Sequence, residues 1–132
     1  MSTNERCAAV LEEIAQMMEL LGQDRFRVAA HSRAARAVEG LAADVKELAK
    51  DKASLTAVDG IGDKLADKII EFCSKGSIAE HAALKEQIPA GLLALLGIPG
   101  LGPKTVRSMW QDGGITDLAS LEAAIEDGSL LN

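Results

Sequence analysis

The residues best placed to do chemistry in this chain occur twice. Val58-Asp59-Gly60-Ile61-Gly62-Asp63-Lys64-Leu65-Ala66 and Ile98-Pro99-Gly100-Leu101-Gly102-Pro103-Lys104-Thr105-Val106 share one pattern, apolar-x-Gly-apolar-Gly-x-Lys, forty positions apart. Glycine adopts positive φ and lets another backbone come close, so such a turn directs successive N–H groups outward where the next helix begins. Those amides have no partner inside the helix and carry the positive end of its dipole, which makes them a seat for a phosphate oxygen. Lys64 and Lys104, two places past the second glycine, bring a full charge to the same phosphate. Ile61 and Leu101, between the glycines, are expected to face inward and anchor each turn.

Two other glycine-lysine loops fail on context. A dinucleotide fingerprint needs a third glycine and a preceding strand; Leu65 and Thr105 stand at the third-glycine positions. A Walker loop is broken by Pro103, which displaces Lys104-Thr105 by one residue. Ordinary helix-helix turns are the plainer alternative, since glycine ends helices routinely. The duplication favours a helix-hairpin-helix grip on the DNA backbone, blind to base sequence. Gly60, Gly62 and Lys64 would act in the first hairpin, and Gly100, Gly102, Lys104, Thr105 and Arg107 in the second.

A net charge of -6 opposes a polyanionic partner unless the charge is uneven, and it is. Residues 96–110 hold Lys104 and Arg107 with no acidic residue, whereas residues 111–132 hold five acidic residues and no basic one. Residues 24–39 carry Arg25, Arg27, Arg33 and Arg36 against Asp24 and Glu39. Arg25 and Arg27 are therefore further candidate DNA contacts, with a solvated helix face as the alternative reading.

These residues must be positioned by helices. At 2% aromatic content an all-β fold is hard to build, because strands favour aromatic and β-branched residues. Cys7, Val10, Leu11, Ile14, Met17, Met18 and Leu21 recur at three- and four-residue steps, as do Leu65, Ile69 and Phe72, and Leu118, Leu121 and Ile125. The chain is predicted to be all-α, with helices over 4–22, 25–39, 43–51, 62–75, 78–87, 90–97, 102–112 and 117–127. A length of 132 residues allows one domain or two small ones, with the seam expected at 87–89, giving regions 1–88 and 89–132.

Cys7 and Cys73 lack metal-ligand spacing and read as small core residues; His31 and His81 read as satisfied or solvated. Asp63 and Asp67, one turn apart beside Lys64 and Lys68, read as surface ion-pair patterning. No apolar run is long enough to span a bilayer, so a soluble, cytoplasmic protein is expected.

An amphipathic first helix comes first, then Arg25-Phe26-Arg27-Val28-Ala29-Ala30. Hairpin one with Lys64-Leu65-Ala66-Asp67-Lys68-Ile69-Ile70-Glu71-Phe72 follows, then Lys75-Gly76-Ser77-Ile78 and hairpin two. This order resembles the amino-terminal region of family X DNA polymerases, nearest the bacterial type, over nearly the whole chain. The resemblance implies a lyase-type helical domain with one hairpin, like that of polymerase beta, followed by a DNA-binding subdomain with the other. It also implies a nucleoid-associated monomer working at gapped, nicked or 5′-phosphate-bearing DNA in base excision repair. The catalytic palm would lie beyond this sequence, and residues 127–132 resemble a point where the family continues.

In that family a lysine after hairpin one forms a Schiff base with 5′-deoxyribose phosphate, and Lys68 matches it, with Lys64 supporting by like-charge repulsion. Asp67 and Glu71 oppose that activation, and Thr56, Ala57, Phe26 and Glu80 depart from the animal enzyme's pocket of lysines and a tyrosine. The resemblance implies no organic cofactor. It does imply Na+ or K+ held by backbone carbonyls, for which Thr56, Val58 and Ile61, and Leu96, Ile98 and Leu101, match. A third reading, a protein-interaction fragment with no nucleic-acid role, draws on the acidic tail and on Met109 with Trp110, which are expected to pack as core.

Overall fold

Five helix starts among the described residues are written by Ser and Asp. The computed structural model describes residues 1–128, and among them nine helices and no strand are found: α1 (Thr3–Leu20), α2 (Arg25–Glu39), α3 (Val45–Leu48), α4 (Lys52–Thr56), α5 (Asp63–Lys75), α6 (Ala79–Glu86), α7 (Ala90–Leu96), α8 (Pro103–Gly113) and α9 (Leu118–Glu126). The side chains of Ser2, Asp24, Asp44, Asp51 and Asp117 each accept a hydrogen bond from an amide of the first turn of α1, α2, α3, α4 and α9. Two of these caps correct the single helix predicted over 43–51. Asp44 opens α3, and Asp51, in extended backbone, ends that stretch and opens α4 over residues left as a connection.

α1 is the hub. Its stripe of Cys7, Leu11, Ile14, Met17 and Met18 is wholly buried, and it packs most extensively on α2 and also on α5, α6 and α8. Burying each large aliphatic side chain contributes about 1.5–3 kcal/mol, so this stripe fixes where its neighbours sit. Leu92, Leu95 and Val106, beyond the expected seam at 87–89, join the same apolar cluster as Leu11 and Ile69.

The stripe predicted for the last helix is only partly inside: Leu121 is buried, while Leu118 and Ile125 are 50% and 57% exposed, because α9 meets little but α7. Burial pushes the Cys7 thiol up to about 12, with Cys73 nearby adding to the shift, and Cys73 itself is half-buried. Met109 and Trp110 lie half-buried against the core. No helix among the described residues is long and apolar enough to cross a membrane. The segment 127–132 lies mostly outside the described residues.

Candidate functional site

The two hairpin helices begin differently from their side-chain-capped neighbours. α5 and α8 start on Gly62 and Gly102, with no side-chain cap, in nearly the same conformation (φ -84°, ψ 178° and φ -83°, ψ 171°). Gly60 and Gly100, two residues earlier, also match, at φ 96° and φ 88°, a region that disfavours side chains. Inside each turn one amide is used: Ile61 donates to the Val58 carbonyl (3.1 Å), and Leu101 to the Ile98 carbonyl (3.0 Å). The amides of Gly62, Asp63, Lys64 and Leu65, and of Gly102, Lys104 and Thr105, have no hydrogen-bond partner among the described residues. Pro103 at the first position of α8 supplies no N–H, so hairpin two offers one donor fewer.

Ile61 is buried as expected, and Leu101 is half-buried; each faces the core beneath its turn. Lys64, Lys104, Thr105 and Arg107 are exposed, and among the described residues none of the three cations forms an ion pair. Arg107 lies away from the turn, however. Its guanidinium covers Gly22 at the end of α1, where an added Cβ would fall 2.5 Å from Nη2. Asp63 and Asp67 form surface ion pairs, but with Lys52 of α4 at 2.9 Å each, not with Lys64 and Lys68. Lys52 is the partner because α4, which it opens, packs on α5 and places its ammonium between two carboxylates a turn apart.

A cleft of about 540 Å³ opens beside hairpin one, lined by Phe26, Arg27, His31, Lys64, Lys68 and Glu80 among others. Lys68 Nζ lies 2.8 Å from Glu80 Oε2 and 2.5 Å from His31 Nε2. His31 is 2% exposed, and its Nδ1 sits 2.6 Å from the Arg27 carbonyl. Burial lowers the imidazole below its usual range, against the Arg27 carbonyl bond and with help from the Lys68 charge. Burial pushes the Glu80 carboxyl up, but the Lys68 hydrogen bond and charge, with His31 and Arg27, more than reverse it and hold it below the ordinary carboxylate range. Arg27 also pairs with Glu80 at 3.4 Å, while Arg25 lies 5.4 Å over the ring of Phe26, which is 72% exposed.

Residues 2–78 match the model of the helix-hairpin-helix domain, and residues 92–131 that of the SAM-like helix-hairpin-helix tandem. The chain belongs to the helix-hairpin-helix domain family. Its sequence is also similar to the DNA polymerase/3′-5′ exonuclease PolX of Bacillus subtilis (strain 168), 36% identical over 117 residues, which are 89% of this chain and 20% of that protein. The chain thus spans about a fifth of the curated relative it matches, and the resemblance to family X polymerases read from the residues is supported by a relative of that kind.

The two hairpins hold the glycines and lysines that the sequence singled out, and the packing of α2 on α5 brings Arg27 to one cleft with Lys64 and Lys68. They do not gather Arg25, which stacks outside the cleft, or Arg107. Two expectations about Lys68 change. Asp67 is taken by Lys52, and Glu71 accepts from the Ala79 amide (2.7 Å) at the start of α6, so neither is the carboxylate on Lys68. Glu80, which the sequence set down as a mismatch, is that partner. His31 was missed as a site residue, although its place on one stripe with Ala34, Ala35 and Val38 marks it as facing inward.

Proposed function

We propose that this chain holds the sugar-phosphate backbone of DNA at two points without reading base sequence, as a monomer, and that it prefers gapped or nicked duplex. One observation carries the proposal: two helix N-termini with matching turns, capped by glycine in a chain that caps five other helices with side chains, leave adjacent amides open beside a lysine. Helix N-termini favour phosphate through unpaired donors and the dipole. The similarity to a DNA polymerase supports DNA as the polyanion; on this reading the chain serves DNA repair in a bacterial cytoplasm.

The carbonyls of Thr56, Val58 and Ile61, and of Leu96, Ile98 and Leu101, would hold Na+ or K+ at the two turns. These are neutral, hard oxygen donors, and Val58 and Ile98 each spend one bond within the turn and keep a second lone pair. Such an ion supplies positive charge for a phosphate oxygen.

Fluorescence anisotropy with gapped, nicked and intact duplexes of several sequences tests the grip. Binding should be indifferent to base sequence, with log K falling against log salt at a slope of roughly -2 to -4, because few phosphates are neutralised. No binding at low salt, or strong preference for one sequence, would refute it.

The Lys68 cleft favours a second activity, 5′-deoxyribose-phosphate lyase. A primary amine, 17% exposed, stands at a cleft that also presents Lys64 and Arg27 for a sugar phosphate. Addition of Lys68 Nζ to the sugar aldehyde and loss of water give the Schiff base from which the 3′ phosphate is eliminated. Borohydride should trap a covalent adduct that disappears in Lys68→Ala; no adduct with the unaltered chain would end this reading.

A further inference from the structure

We propose that His31 is the base that takes a proton from Lys68 and so makes the amine a nucleophile. The inference rests on the lyase reading and deepens it.

His31 is the one buried polar side chain among the described residues. An imidazole placed in a core needs both nitrogens satisfied, and here each has one partner. The Arg27 carbonyl can only accept, so Nδ1 carries the hydrogen and donates to it. In the neutral ring Nε2 then has a free lone pair, and that lone pair faces Lys68 Nζ. An ammonium offers three donors and no acceptor, so a Lys68 proton lies between the two nitrogens.

Lys68 touches two groups able to accept that proton, His31 and Glu80. Imidazole is the stronger base of the two by about 2 units in reference values; burial lowers His31, and its cationic neighbours hold Glu80 below the ordinary range as well. Glu80 therefore stays ionised while the proton moves. Its negative charge acts on His31 as well as on Lys68, so the transferred charge remains in its field.

The transfer balances without an added reagent. The Nζ–H bond breaks, the proton passes to Nε2, and the electron pair stays on Nζ. That pair attacks the aldehyde carbon, and the carbonyl oxygen takes a proton from the adding nitrogen to give a neutral carbinolamine. The imidazolium returns its proton to the hydroxyl as it leaves as water, which forms the iminium and restores neutral His31.

The charged groups around the ring are Arg27 from its own helix, Lys68 with Lys64 from α5, and Glu80 from α6. Asp67 and Glu71 also line the cleft but are engaged by Lys52 and the Ala79 amide.

The test is cyanoborohydride trapping by the full chain on a gapped duplex ending in 5′-deoxyribose phosphate, in single turnover, from pH 5 to 10. In the unaltered chain the rate should hold level from alkaline pH to below about 6.5, since the buried imidazole titrates under its usual value. In His31→Gln the rate at pH 7 should fall about 100-fold or more. It should then climb steadily as pH rises, because hydroxide in solvent takes over the proton removal. Added imidazole should restore His31→Ala. A variant rate equal to the parent at every pH overturns the proposal, and so does a loss uniform in pH with no imidazole rescue. Were both variants to melt, the parent's profile decides alone: a rate that climbs steadily with pH across the whole range overturns it. No trapping by the parent removes the lyase reading with it, whereas trapping that is indifferent to His31 removes this inference only.

Discussion

Hairpin one and hairpin two have the same backbone and different surroundings. Gly60 packs against α2, where an added Cβ would meet Arg33 Cγ at 3.2 Å and Ala37 Cβ at 3.4 Å; around Gly100 nothing comes within 4 Å. The first turn is backed by an arginine-bearing helix that brings His31 and Arg27 to Lys68, and the second opens to solvent beside Pro103. On the proposed function the glycine pattern makes a phosphate seat at both turns, and the helix packed behind a turn, α2 at hairpin one, determines whether chemistry can accompany it. On this reading hairpin two is a grip alone, and hairpin one is a grip beside a reactive amine.

The largest difference between them should appear in covalent trapping. Lys68→Ala is expected to abolish the adduct, and Lys104→Ala to leave its yield at saturating DNA unchanged; equal losses would erase the distinction. In DNA affinity the two should look alike. Lys64→Glu and Lys104→Glu are each expected to weaken binding on the order of tenfold and to flatten the salt slope by about 1, measured by anisotropy. Lys104→Glu with Arg107→Glu should lose little beyond Lys104→Glu, since Arg107 covers Gly22 rather than the turn.

Stability should separate the hairpins again by a smaller margin. Forcing a Cβ into positive φ costs about 1–2 kcal/mol, so Gly100→Ala should lose about 1 kcal/mol and Gly60→Ala, which also crowds Arg33, about 2, in urea unfolding. The smallest effect is on pH dependence. His31 titrates lower when folded than unfolded, so the unfolded chain binds the proton first as pH falls through about 6.5, and stability declines until the folded ring protonates too. His31→Gln should flatten that decline in Tm; no change between pH 7 and 5 would place the ring's burial in doubt.

Most of the helices were legible because apolar residues at three- and four-residue steps are local signals. The stretch 43–51 misled because Lys46 to Leu48 and Lys52 to Thr56 both suit a helix, and only the Asp51 backbone divides them. The glycines and Lys64 and Lys104 could be read for the same local reason. The Lys68 partners could not, since His31 and Glu80 stand 37 and 12 residues away in sequence and meet it only when α2, α5 and α6 pack together. Glu80 looked like a fault because an aligned position says what is missing, not which charge its neighbours require.

The two-seat account is tested most directly by amide chemical shifts during titration with a gapped duplex. Gly62, Asp63, Lys64 and Leu65 should shift together with Gly102, Lys104 and Thr105, at one stoichiometry and with loss of the effect at high salt. Shifts on other faces while both sets stay still would contradict it.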